Sequence, residues 1–220
     1  MTSASAKPTP DIQTRLDAWI RDQPGGVAVA WVDRGGTSFF QSGQFDGDDP
    51  RPITPDTQFE IGSVTKVFTA LLLGESERLG KVSRNDPAAK YLLPPDDPAQ
   101  QRLAEITLLS LVTHASGLPG LPTNAGGDRD PSYDRAKLVA ALQAHGPTAQ
   151  VGRIVSYSNF CVAALGEALG SAWGKTYADA LHEHVLGPLG MKATTVGITG
   201  SPPPADLAPG HSNGKRVPNW

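Results

Sequence analysis

The chain has 220 residues, enough to bury a substantial core as one large domain or two small ones. Hydrophobic residues make up 39%, charged residues 19%, and the net charge is −3, so nothing basic argues for nucleic acid and no apolar run reaches membrane-spanning length. Gly (24) and Pro (20) are plentiful but scattered, which predicts many loops and no internal repeat.

Residues 1–10 read as a tail without structure. They hold no apolar stretch of the secretory type, so a cytoplasmic location is expected. Residues 11–21 carry Ile12, Leu16, Trp19 and Ile20 at helical spacing behind Asp11, and Pro24-Gly25-Gly26 ends that helix. Residues 27–33 and 37–43 read as two strands of a hairpin turned at Arg34-Gly35-Gly36. A polar, Pro-rich loop then leads to a strand-like approach at Phe59-Glu60-Ile61 and an apolar helix that should end near Gly80.

Beyond it, residues 81–97 are rich in Pro, Asp and Asn and read as loop, and 106–114 as a short helix closed by Ala115-Ser116-Gly117-Leu118-Pro119-Gly120. Further helices are expected at 135–144, 158–169 and 177–186, the last stopped by Gly187-Pro188, with loop from Gly197 onward. The single cysteine, Cys161, lies in an apolar run and reads as a small core residue.

Ser63 stands at the mouth of the first long apolar helix with Lys66 three residues on. At helical spacing the hydroxyl and the ammonium share a face, about a turn apart. The helix start also offers unpaired N–H groups and a dipole that favours developing negative charge. Together these supply a nucleophile with an adjacent base and the beginnings of an oxyanion site. The bland alternative is an N-cap serine followed by a surface lysine. A second Ser-x-x-Lys, at Ser212 and Lys215, sits in a polar Gly-containing turn with no helix behind it and is set aside.

About 90 residues later comes Val155-Ser156-Tyr157-Ser158-Asn159-Phe160, ahead of another apolar helix. A tyrosine two residues from an asparagine in a turn can aim both polar tips into one pocket. A lysine beside the phenol would favour its ionised form and make it a proton shuttle.

These blocks, with Leu108-Leu109-Ser110-Leu111-Val112-Thr113-His114-Ala115-Ser116-Gly117-Leu118-Pro119 and Pro188-Leu189-Gly190-Met191, resemble the serine β-lactamase and penicillin-binding-protein family over roughly residues 10–220. The resemblance is closest to the class C-type branch with its related carboxylesterases and D-alanyl-D-alanine peptidases. It implies that Ser63 is the acylated nucleophile, Lys66 its proton acceptor or hydrogen-bond partner, and Tyr157 the base for acylation and for activating water. Asn159 would hold the acyl side of the substrate. His114 belongs to a family block where the resemblance implies a structural part. The Lys-Thr-Gly motif of this superfamily has no counterpart after Tyr157, since Lys175-Thr176 is followed by Tyr177, so the chain reads as the first portion of a longer protein.

Other motifs carry less. Gly170-Ser171-Ala172-Trp173-Gly174-Lys175-Thr176 is one residue short of a P-loop and follows a helix rather than a strand. His182 and His184 point apart on a helix, so no metal and no cofactor is expected.

The expected fold is the β-lactamase/transpeptidase-like α/β (α+β) type, an antiparallel sheet flanked by helices plus a mostly helical region. It is read as one domain over 1–220 lacking its C-terminal part, with an α/β segment at 11–60, a helical region at 61–195 and loop at 196–220. The expected function is serine hydrolysis of an ester or amide through an acyl-enzyme, carboxylesterase-like. The alternatives are a β-lactamase or D-alanyl-D-alanine peptidase, or a non-catalytic chain that binds acyl ligands. Partners are a small ester, amide or β-lactam and, through the open hairpin edge, a second copy; no nucleic acid or membrane is expected.

Overall fold

The computed structural model describes residues 11–127, 130, 132–197 and 204–217. The chain divides into two compact units, Met1–Glu60 with Gly200–Trp220, and Ile61–Thr199. No helix among the described residues is long and apolar enough to cross a membrane.

In the first unit, helix α1 (Asp11–Ile20) buries Ile20 and runs beside the second strand of a hairpin, where Gln13 Nε2 donates to the Gln41 carbonyl at 3.0 Å. That hairpin pairs β1 (Gly26–Asp33) with β2 (Gly36–Gly43), antiparallel from Gly26↔Gly43 to Asp33↔Gly36. The Asp33 carboxylate accepts the Gly35 N–H at 2.7 Å and closes the turn.

Residues 210–217, expected as loop, form a second hairpin instead, β3 (Gly210–Ser212) with β4 (Lys215–Val217). Its turn is Asn213-Gly214, both at positive φ (51° and 72°), the pair that two-residue hairpin turns favour. The arms are too short to show alternation. Ser212 and Lys215 are cross-strand partners there, with no helix to join them as a nucleophile and base. His211 Nε2 lies 3.1 Å from the buried Asp46 carboxylate, and Arg216 lies 3.7 Å from its other oxygen. Hydrogen bonding to His211, and then to the Gly47 N–H, holds the Asp46 carboxyl below its ordinary value.

The second unit is helical. A 3₁₀ turn (Gly62–Val64) runs into α2 (Thr65–Arg78), followed by α3 (Ala89–Leu92), α4 (Ala99–Arg102), α5 (Leu108–Val112), α6 (Arg135–Ala144), α7 (Asn159–Trp173) and α8 (Tyr177–Leu181). A π-helical turn (His182–Leu186) continues α8. Two expectations need correction. Residues 59–61 are irregular rather than strand. The 81–97 loop contains α3, and α4 follows it, each a single turn too short to carry a periodic signal.

Side-chain oxygens of Thr107, Asp134, Ser158 and Thr176 accept the N–H groups of Ser110, Lys137, Cys161 and Asp179 at the starts of α5, α6, α7 and α8. Each such cap contributes about 1 kcal/mol. Helix α7 is the axis of the unit, burying Phe160, Cys161, Ala164, Leu165, Ala168 and Leu169. Helix α2 turns Thr69, Leu72, Leu73 and Ser76 inward. Thr69 Oγ1 meets the Tyr177 phenol at 2.7 Å, and Trp173 Nε1 donates to Ser76 Oγ at 2.9 Å. Gly170 makes the α7–α8 corner possible, because a Cβ there would lie 2.8 Å from the Tyr177 backbone nitrogen and 3.0 Å from the Lys175 carbonyl. The buried α2–α7 contact fixes where the two motif-bearing helices begin, and both begin at the same place.

Candidate active site

Gly62 takes a left-handed φ of 50°, which a side chain would resist, and turns the chain into the 3₁₀ segment that carries Ser63. No side chain caps that segment or α2, so the Ser63 hydroxyl does not act as an N-cap. It points outward to two partners. Lys66 Nζ donates to Ser63 Oγ at 3.0 Å, and the Tyr157 phenol lies 2.5 Å from the same oxygen. Lys66 Nζ also donates to Asn159 Oδ1 at 2.8 Å. All four candidate residues, Ser63, Lys66, Tyr157 and Asn159, therefore form one connected hydrogen-bonded cluster.

Tyr157 and Asn159 reach the cluster because they flank the cap of α7. Ser158 between them is buried. Its Oγ donates to the Pro119 carbonyl at 2.6 Å and accepts the Cys161 N–H at 3.0 Å. With Ser158 turned in, the side chains on either side are free to project toward α2.

The Tyr157 phenol is pulled below its ordinary pKa by hydrogen bonding with Lys66 and then with Ser63, with the longer-range charge of Lys66 acting in the same direction and burial opposing. The direct bonds of Lys66 go to Ser63 and Asn159. We therefore read its effect on the phenol as that of a close positive charge, its Nζ lying 4.9 Å from the ring centre. The cluster can thus hold a phenolate beside a serine hydroxyl, the arrangement that removes a proton from a nucleophile.

His114, for which the resemblance implies a structural part, and Gly120 form the bracket on which the Tyr157 loop rests. The His114 carbonyl accepts the Ser156 N–H at 2.9 Å, and the Gly120 carbonyl accepts the Asn159 N–H at 2.8 Å. Ser116 Oγ meets the buried Cys161 Sγ at 3.0 Å, which makes the cysteine a packing residue. No group of three potential metal ligands occurs among the described residues. The His184 ring is stacked on Trp173 with centroids 3.7 Å apart. Residues 170–176 are the end of α7 and the turn into α8, not a phosphate loop.

The chain belongs to the Beta-lactamase family, whose model matches residues 16–219. Among curated relatives it is 33% identical to a beta-lactamase of Pseudomonas fluorescens over 175 residues, which is 79% of this chain and 46% of the relative. It is 32% identical to the D-alanyl-D-alanine-carboxypeptidase/endopeptidase AmpH of Escherichia coli (strain K12), covering 77% of this chain and 45% of that one. Among solved structures, the class C beta lactamase from Rhodobacter sphaeroides superposes with a TM-score of 0.74 at 29% identity, over 94% of this chain and 57% of that chain. The D-alanine carboxypeptidase AmpC from Burkholderia cenocepacia gives the same TM-score of 0.74 at 30% identity, over 96% of this chain and 56% of that chain. The fold is accordingly of the β-lactamase/transpeptidase-like type, mixed α and β, and the chain spans about half the length of the relatives it matches.

Proposed function

We propose that the chain carries the acylation site of a serine hydrolase that works through an acyl-enzyme. The observation that carries this is the contact of Ser63 Oγ with both Tyr157 (2.5 Å) and Lys66 (3.0 Å). In the proposed sequence the phenolate of Tyr157 takes the Ser63 proton as Oγ attacks the acyl carbonyl. Lys66, positively charged, stabilises the phenolate and orients the serine. The Ser63 N–H, in the turn that opens α2, faces the charge that develops on the carbonyl oxygen. Tyr157 then returns the proton to the leaving group, and the ester on Ser63 remains. For hydrolysis Tyr157 takes a proton from water as the water oxygen adds to the ester. On collapse it passes that proton to Ser63 Oγ, releasing the carboxylic acid and restoring the hydroxyl and the phenolate. Asn159, fixed by Lys66, presents its amide to the acyl side chain.

For the substrate, the relatives named as beta-lactamases and D-alanyl-D-alanine peptidases favour β-lactams and acyl-D-alanyl amides, with activated esters as simpler acyl donors for the same nucleophile. A second reading is acylation without turnover. It is favoured by the openness of the site, where Tyr157 is 56% exposed, because oxyanion stabilisation is strongest where water is excluded.

A fluorescent penicillin and a fluorophosphonate probe, read by peptide mass spectrometry, test the proposal. Label on Ser63 that is lost in Ser63→Ala is the expected result, and equal labelling of the variant overturns it. Release of free product from the labelled protein separates turnover from stable acylation.

A further inference from the structure

His114 packs against Tyr157 through an arrangement that the reaction scheme above does not use. Its backbone carbonyl accepts the N–H of Ser156 at 2.9 Å, and its Nδ1 accepts the N–H of Ser158 at 3.1 Å. One residue therefore grips the chain on both sides of Tyr157. The imidazole also lies beside the phenol ring, with centroids 4.8 Å apart at 32°. To do this His114 adopts a left-handed backbone, φ 57°. Among the described residues the only other non-glycine at positive φ is Asn213, in a hairpin turn where such angles are expected. A left-handed histidine is strained, and strain of this kind persists where surrounding structure or function holds it.

We propose that His114 is the positioning residue for Tyr157, and that it holds the phenol against Ser63 only while its own Nδ1 is unprotonated. This rests on the acyl-transfer reading of the site. The backbone N–H of Ser158 can only donate, so Nδ1 must present its lone pair and the ring proton must sit on Nε2. Adding a second proton places N–H against N–H, and the Ser158 side of the grip is released. The titratable groups facing the ring are Lys66 from α2 and the Tyr157 phenol from the loop before α7. Burial first, and then the Lys66 charge, keep the histidine below its ordinary value of 6.5, so the neutral form prevails at neutral pH. The grip is thus complete above that range and lost as the pH falls through the lowered value.

The test uses two variants and two readouts. His114→Ala removes the ring and the acceptor. His114→Asn keeps a short polar residue suited to the left-handed backbone and an amide oxygen that can accept the Ser158 N–H, but it cannot titrate. The first readout is the rate of Ser63 labelling by fluorescent penicillin as a function of pH. The second is an ultraviolet titration of the phenol that disappears in Tyr157→Phe, and it needs no acylation. In His114→Ala, labelling should fall by about tenfold to a hundredfold, as expected for a misplaced catalytic group, and the phenol pKa should rise toward its ordinary 10.0 as it leaves Lys66. In His114→Asn most of that loss should be recovered, and the extra acid-side fall that His114 adds to the fall from phenol protonation should be gone. An unchanged phenol titration in a folded His114→Ala, or an acid-side fall in His114→Asn as steep as that of the wild type, overturns the proposal. If the wild type labels nowhere while the phenol titration still shifts in His114→Ala, the acyl-transfer reading fails and the positioning stands.

Discussion

In the proposed reaction, deprotonation of Ser63 depends on a charge three residues further on, in the first turn of α2. Lys66 is the leading cause of the lowered Tyr157 pKa, and it touches Ser63 and Asn159 at once. The sign is that of an acid whose charged form is favoured, so the working phenolate accumulates as the pH rises through a value below 10.0. Lys66→Ala should therefore move the rising limb of the acylation rate to higher pH, and Tyr157→Phe should lower that rate by about 10²–10⁴-fold, the usual weight of a general base. Stopped-flow acylation across pH 6 to 10 measures both, and a limb that stays in place in Lys66→Ala contradicts the assignment. This pair was legible in the sequence because i, i+3 spacing on a helix is local geometry. Tyr157 stands 94 residues from Ser63, and only its resemblance to a family block indicated where it would land. The His114 grip was illegible. It requires a left-handed backbone angle and a bond across 44 residues, neither of which leaves a periodic trace.

At the scale of elements, the site is placed by α2 and α7, and the glycines on those helices differ in kind. Gly170 faces the backbone of the turn into α8, whereas nothing lies within 4 Å of a Cβ built on Gly74. Gly170→Ala should cost about 1–3 kcal/mol through overpacking against atoms that cannot rotate away. Gly74→Ala should instead stabilise α2 by about 0.5–1 kcal/mol, the ordinary helix preference of alanine over glycine. Chemical denaturation of the two variants checks this, and equal shifts in the same direction would refute the packing argument. The long helices were legible because their apolar faces repeat and their starts carry Ser, Thr or Asp. Helix α6 shows this, running over Arg135–Ala144 behind the Asp134 cap as the pattern predicts. Helices α3 and α4 and the β3–β4 hairpin fell below that threshold. Their stability comes from tertiary burial of residues such as Ala89, Leu92 and Ala99, which no single turn of sequence reveals.

For the whole molecule, the inner and outer faces of α2 are at odds. The inner face is closed by Thr69, Leu72, Leu73 and Ser76, yet the outer face shows Val64, Val67 and Leu71 at 57%, 58% and 49% exposure. These follow i, i+3, i+7 spacing, so they form one continuous apolar stripe that starts beside Ser63. Ile154 and Val155, next to Tyr157, are also exposed, at 59% and 75%. Apolar surface of this continuity is uncommon on a monomer and favours association. The 220-residue chain is therefore expected to self-associate through this stripe. Multi-angle light scattering should show a mass above one chain that rises with concentration, and Leu71→Glu should lower it, because a charge buried in an apolar contact is costly. Leu71 takes no part in the hydrogen bonds that join Ser63, Lys66, Tyr157 and Asn159, so penicillin labelling per chain should change little in the variant. Monomeric behaviour at every concentration, or association untouched by Leu71→Glu, would show that the stripe is not the contact. A parallel loss of labelling and association would show instead that the active cluster depends on the assembled form.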